Sequence, residues 1–453
     1  MPTLTGGMTM VGGAQFTPPP PPPEFSSFSF STADDIVRPA DLGETYLYPS
    51  SKRGGVRTFK ISDSKFVTIG LYNNTQGTPS ASNYIYVCTL STIDSSGVIT
   101  QVNSVELFSA QNTQLWSMEM DCGYAEIYQF DTDKYGIAEF YGNCTGLGSQ
   151  NQNSYFKPFT LNTTTGAVTK PNNWIQFPKC DTSWSTRSTD ADRLGGGVAL
   201  DSNRLWTCRA IGAPDAVFTA LFRYRTYHWI HTIDWNNLQI TSTPNTIYNE
   251  ESGQPMMGNS YQTNFLMPGG DHVMMMSMTG GGNNNGALAV DVSGTNPAPG
   301  NRNDVRFENY GGTMLNATIV SDGVGISSTL GTVFSVDVAG NICALSWTIS
   351  GNNVSYTGTS LAFGSTASSN NKPFHLGDGR VAICIDSNGA TGQTWTVAEI
   401  ESDGTMSSIG TGTQNTNVES YNGTNAVKMD TGKILSVTRA QTSYNGSDGY
   451  LAT

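Results

Sequence analysis

Short runs in which apolar and polar residues alternate, each closed by a turn of Asp, Asn or Gly, recur along this chain from Ile61 onward. A period of two is the mark of a β-strand with one buried face. One phrase keeps returning: an apolar residue, an Asp or Gly turn, often a basic residue, then an alternating strand. It reads Ile-Ser-Asp-Ser-Lys-Phe-Val-Thr-Ile-Gly from Ile61, Phe-Asp-Thr-Asp-Lys-Tyr-Gly-Ile-Ala from Phe130 and Leu-Asp-Ser-Asn-Arg-Leu-Trp-Thr from Leu200. Further copies begin at Pro268, Val320, Leu376 and Met429. The residue after the turn falls at Lys65, Lys134, Arg204, His272, Val324, Arg380 and Lys433, in steps of 69, 70, 68, 52, 56 and 53 residues.

A second phrase lies between these markers, an Ile/Val-Asp-like pair followed by a Gly or Asn turn. It occurs at Asp94–Gly97, Asn162–Gly166, Asp234–Asn237, Asp291–Gly294, Asp337–Gly340 and Glu401–Gly404. Asp supplies a side-chain acceptor and Gly the positive φ that a tight hairpin needs. Each unit is therefore two hairpins, or one twisted four-stranded sheet. A lone sheet of this kind leaves apolar faces and edges exposed, and stacking into a closed ring removes them. The steps suit propeller blades of roughly 40–50 residues plus loops. The expectation is an all-β, seven-bladed β-propeller of four-stranded antiparallel blades over residues 25–453. A parallel β-helix has far shorter coils.

Only 20 residues follow Lys433, too few for a whole blade. Residues 25–31, which alternate Phe and Ser, or residues 44–48 are expected to supply the missing strand and latch the ring. Ahead of them, residues 1–24 are Gly-rich and then run through six prolines, Pro18 to Pro23. Such a run forms a stiff polyproline II rod and cannot join a sheet. An extended arm follows, with Leu4, Met8, Met10, Val11 and Phe16 as its apolar points and Pro18 to Pro23 as its rod, docked on a partner surface.

Charge narrows the partners. The net charge is −13, with no Lys/Arg run, so a phosphate backbone is a poor ligand. No stretch approaches the 18 apolar residues of a spanning helix, so no membrane insertion is expected. Residues 1–15 lack the basic start and apolar run of a signal peptide. Seven cysteines without C-x-x-C pairs give neither a zinc site nor a disulfide framework. Cys88, Cys208, Cys343 and Cys384 read as core residues; a disulfide among Cys122, Cys144 and Cys180 stays open.

The opening Pro-Thr-Leu-Thr-Gly-Gly-Met-Thr, followed by Gly-Gly-Ala-Gln-Phe-Thr-Pro, resembles the starts of virion structural proteins from marine tailed bacteriophages. The resemblance covers about 25 residues together with the Lys-poor, Ser/Thr/Asn/Gly-rich composition. It implies a capsid-, neck- or tail-associated component, made in the host cytoplasm and released by lysis. Its partners would be other virion proteins or copies of itself. The absence of heptads and of a collagen-like repeat sets the chain apart from long fibre proteins.

Catalytic signatures are sparse. Sialidase-type Ser-x-Asp-x-Gly-x-x-Trp repeats, a Gly-x-Ser-x-Gly elbow, His-Glu-x-x-His and phosphate loops are absent from the sequence. Asp131-Thr132-Asp133 lacks the further carboxylates of a calcium loop. Glu119, Asp121, Glu126 and Glu139 could contain an acid/base pair, but sequence does not fix their separation. The most unusual segment runs from Phe222 to Trp235. If extended, it puts Phe222, Tyr224 and His228 on one face and Arg225, Tyr227, Trp229 and His231 on the other. Arg223, Tyr224, Arg225, Tyr227 and Trp229 suit a blade-to-blade core, a subunit interface or a glycan-stacking surface. The leading expectation is a structural virion protein with no enzymatic activity and no cofactor. A host-surface glycan-binding module comes second, and an enzyme acting on polysaccharide third.

Overall fold

The computed structural model describes residues 30–35, 46–47, 56–73, 84–109, 123–141, 154–179, 193–214, 222–249, 262–278, 285–301, 303–305, 315–337, 341–365, 374–386, 393–414, 425–430, 433–439 and 447–452. Every strand pair among them is antiparallel, which excludes the β-helix. Six sheets are contiguous in sequence and are numbered here as blades 1–6: residues 46–109, 123–176, 193–249, 262–305, 315–365 and 374–414. A further sheet joins the two ends of the described chain. Its order is Phe30–Asp35, Ser447–Ala452, Lys433–Arg439, Asn425–Asp430, with the last strand innermost.

The expected seven-bladed propeller of four-stranded blades is therefore corrected to six blades. Consecutive chain builds six blades, and the seventh marker, Lys433, opens a strand of the composite sheet, which Phe30–Asp35 completes. Blades 1–4 also carry a fifth strand. In blades 2, 3 and 4 the outer position is split into two short strands on one partner, and Pro171, Pro244 and Pro299 fall at the breaks. Proline has no N–H to give the ladder, so an outer strand is interrupted there. In blade 1 the addition is Tyr46–Leu47, which pairs with Asn73 and Tyr72; the candidate latch at 44–48 thus belongs to blade 1.

Six of the seven markers open the second strand of a sheet: Lys65, Lys134, Arg204, His272, Arg380 and Lys433. Val324 does not. It lies near the end of the innermost strand Leu315–Gly325, and the second strand starts at Leu330. The turn between them has Ser327 in place of Asp, its Oγ accepting from the backbone amides of Thr329 and Leu330. The second phrase slips in the same blade. Asp337 ends a strand ahead of residues 338–340, while the outer hairpin turns on Gly351-Asn352, with Gly351 at φ 57°.

The core is divided among the seams. Tyr86, Leu107 and Phe108 of blade 1 meet Tyr135, Ile137 and Phe159 of blade 2. Phe140 and Phe177 of blade 2 meet Leu205 and Ile233 of blade 3, and Trp206 and Ile230 of blade 3 meet Val273 and Leu288 of blade 4. Comparable clusters join blades 4 and 5 and blades 5 and 6. Phe66 and Ile93 of blade 1 pack with Met429 and Leu435 of the composite sheet, closing the ring.

Candidate functional site

One end of each blade is formed by its short turns, and their chemistry is used locally. Asp94 Oδ1 accepts from the backbone amides of Ser96 and Val98 and from the Ser96 hydroxyl. Asp234 Oδ1 accepts from the amides of Asn236 and Asn237, Asp291 from Ser293, and Asp403 from Thr405. The Ser96 hydroxyl and turn amides hold the Asp94 carboxyl below its ordinary value, and Asn237 does so for Asp234. A carboxylate stabilised in its charged form by its own turn is a poor proton donor near neutral pH.

The basic markers bridge neighbouring blades. Lys65 Nζ donates to the carbonyl of Thr163, 2.8 Å away in the outer turn of blade 2. Arg204 Nη1 reaches from blade 3 to the carbonyls of Val292 and Gly294 in the outer turn of blade 4. His272 Nε2 of blade 4 lies 3.2 Å from Asn352 Oδ1 in the outer turn of blade 5. Lys134 instead stands 3.7 Å from Asp131 of its own turn.

The carboxylates of blade 2 point to different seams. Glu139 pairs across the ladder with Ala125, and Glu126 with Ala138, so the two side chains leave opposite faces of the sheet. Glu139 is fully buried and accepts from the Tyr86 hydroxyl of blade 1 at 3.0 Å. Burial, and then Glu139, raise the Tyr86 phenol well above its ordinary value. Glu126 accepts from the Tyr128 hydroxyl and from the backbone amide of Gly197 in blade 3, at 2.9 Å for the latter. They cannot act together on one bond. Glu119 and Asp121 lie outside the described residues.

Beside Glu139 sits a buried ammonium that sequence reasoning did not single out. Lys157, 4% exposed, donates to the carbonyl of Asn172 at 3.1 Å and lies over the rings of Phe108 and Trp174, 4.6 and 5.5 Å from their centroids. Burial and the nearby Lys170 lower its pKa, while Glu139 opposes them. A lysine in an alternating strand gives no sequence sign of such a partner set.

The segment from Phe222 to Asp234 is the third strand of blade 3. Tyr227 and Trp229 are 0% and 2% exposed and stack on each other with centroids 6.0 Å apart. They are core residues of the chain and offer no open face to a sugar. His231 is bonded on both ring nitrogens, by Thr207 Oγ1 and Ser242 Oγ, each at 2.7 Å. His228, on the opposite face, lies 5.7 Å from the Trp206 ring. The backbone of Arg223, Tyr224 and Arg225 continues the strand, paired with Ala213, Gly212 and Ile211; their side chains lie outside the described residues. The arm residues Leu4, Met8, Met10, Val11, Phe16, Pro18 and Pro23 lie outside them as well, as do Cys122, Cys144 and Cys180. Cys88 and Cys208 are buried thiols, and burial pushes Cys88 up to about 12. Among the described residues no group of three or more His, Cys, Asp or Glu could hold a metal ion.

No protein-family model matches the chain, and no curated protein matches it by sequence. Solved structures similar to it include a protein of unknown function from Dyadobacter fermentans, at 10% identity over 90% of this chain and 98% of that one, with a TM-score of 0.43. The polysaccharide lyase Uly1 is 8% identical over 94% and 96% of the two chains, with a TM-score of 0.46. The Nup133 β-propeller domain of Vanderwaltozyma polyspora is 9% identical over 88% and 100%, with a TM-score of 0.43. The chain's own sheets and seams make it an all-β propeller.

Proposed function

We propose that this chain is a non-enzymatic propeller platform in a larger assembly, a structural component of a bacteriophage virion held in place by its N-terminal arm. The observation that carries the platform reading is the internal use of the charged repeat. Turn carboxylates are bonded to their own backbone, and Lys65, Arg204 and His272 join one blade to the next. Charged groups that hold the ring rigid serve a scaffold well and leave little for a substrate. The finer reading, a virion and an anchoring arm, rests on the sequence of residues 1–24 and its resemblance to virion proteins. The partners would be other virion proteins or further copies of this chain.

The test is incorporation. The full chain is expected to be present in purified particles at a fixed copy number, and a chain lacking residues 1–23 to fold but fail to incorporate. Truncated protein found in particles at the normal copy number would remove the arm from the proposal. Absence of the full chain from the particles would remove the virion reading itself.

A second reading, recognition of host-surface glycan, is favoured by chain length. Strand ends opposite the short turns are joined by long stretches such as 110–122, 180–192 and 250–261, all outside the described residues. Binding of the isolated propeller on a glycan array would support that reading, and a reducing-sugar assay would detect an enzyme.

A further inference from the structure

Two histidines three residues apart in one strand are treated very differently. His231 has a hydroxyl on each ring nitrogen. His228 is as fully buried, and neither of its nitrogens has a hydrogen-bond partner among the described residues. Trp206 Nε1 and both amide heteroatoms of Asn264 are likewise buried without a partner among the described residues.

Register brings these three residues to one seam. His228 pairs with Cys208, and Cys208 with Gly196, so the three share a face of blade 3; Trp206 lies one step along that face, pairing with Ile230. In blade 4, Asn264 pairs with Met275, and Met275 with Leu288. Trp206, Cys208, Met275 and Leu288 belong to a single apolar cluster between the blades, and the innermost strands of blades 3 and 4 adjoin. In the same row of blade 3 the innermost strand contributes Gly196, which has no side chain.

Buried polar groups are almost always hydrogen-bonded, and five such atoms left bare in one seam would strongly oppose folding. We propose that the seam between blades 3 and 4 is an internal binding site for water, held by His228, Asn264 and Trp206. The guest must be small and able both to donate and to accept. Trp206 Nε1 only donates, a neutral imidazole does one of each, and the Asn264 amide does both. Water meets all three needs. The surrounding Val273, Met275, Leu288 and Val290 would exclude a charged guest, since they could not compensate its charge.

A crystal structure of the full chain at a resolution that orders internal solvent tests this directly. Density the size of one or more waters is expected within hydrogen-bond distance of at least two of the five atoms. A dry seam, with His228 and Asn264 bonded to protein groups, would overturn the proposal. Density larger than water would also overturn it in favour of a small neutral solute, identifiable by mass spectrometry after denaturation. Oxygen-17 magnetic relaxation dispersion gives an independent reading in solution. The double variant His228→Phe, Asn264→Leu should lose the long-lived water signal of the seam; an undiminished signal in a folded double variant would count against the site.

Discussion

Arg204 of blade 3 donates from Nη1 to the carbonyl oxygen of Val292 in blade 4, across 3.2 Å and 88 residues of chain. The same side chain donates from Nε to Oδ2 of Asp201 at 2.6 Å. Burial opposes ionisation of Asp201, yet the guanidinium and the amides of Asn203 and Arg204 outweigh it and hold the carboxyl below its ordinary value. A turn residue thus aims a cation at the next blade.

Replacing Arg204 by Met should keep the aliphatic packing and lose the clamp. Hydrogen bonds to charged groups contribute about 1.5–3 kcal/mol, and partial exposure reduces that here, so about 1 kcal/mol is expected. Denaturant unfolding should show a lower midpoint with an unchanged slope. No change in midpoint would mean that the clamp contributes nothing to the ring.

Acid should weaken the fold in two stages. Burial holds the His228 and His231 imidazoles down at about 3, against about 6.5 in an unfolded chain. Between those values the unfolded chain binds protons that the folded one refuses, so stability present above about pH 6.5 is lost as pH falls. Each histidine contributes a slope of about 1.4 kcal/mol per pH unit within that window. Below about pH 4, Asp94, Asp201, Asp234, Asp291 and Asp403 add to the loss, because their folded values are depressed. Melting temperatures from pH 8 to 4 should be flat at first and fall from about 6.5. His228→Phe should reduce the slope, and an equal slope in that variant would mean that His228 takes up its proton without unfolding.

Gly323→Ala should be costly for reasons of space. A Cβ there would stand 2.1 Å from Cε1 and 2.5 Å from Cδ1 of Phe265, a buried ring in the seam between blades 4 and 5. Overpacking of this kind costs about 1–3 kcal/mol. Adding Phe265→Leu should recover part of it, and a double-mutant cycle should report coupling between the two positions. Simple additivity would show that the seam adjusts elsewhere.

Glu139→Ala should damage stability rather than any reaction. It leaves the buried Tyr86 hydroxyl without its acceptor and removes a carboxylate near Lys157, a loss of about 2–4 kcal/mol. Glu139→Ala in a Tyr86→Phe background should cost less. Equal losses in both backgrounds would separate Glu139 from Tyr86 energetically.

Much of this architecture is legible in the sequence, for identifiable reasons. The turns at Asp94, Asn162, Asp234 and Asp291 are written in residue types that make their own hydrogen bonds, so the sequence displays them. Blade 5 departs from the repeat where its turns use Ser327 and Gly351-Asn352, which perform the same task with different atoms. The seams were far less readable. That Glu126 and Glu139 face different blades follows from alternation once their strands are known, but their partners Gly197 and Tyr86 lie 71 and 53 residues away. His228 and His231 look alike in sequence; only the hydroxyls brought by Thr207 and Ser242 distinguish them. Tyr227 and Trp229 carry the composition of a recognition surface and the burial of a core.

The composite sheet also governs the order in which the molecule can be completed on the ribosome. Phe30–Asp35 is the first of the described strands to be synthesised, while its partner Ser447–Ala452 is the last of them to emerge. Blades 1 to 6 can each form as their own segment appears, but the early strand must wait through more than 400 residues for its mate. At translation rates of about 5–20 residues per second, that is a wait of tens of seconds with an edge unsatisfied. A chain whose six blades formed in that order would be an open arc through the interval, and a chaperone or an early assembly partner would meet it in that form.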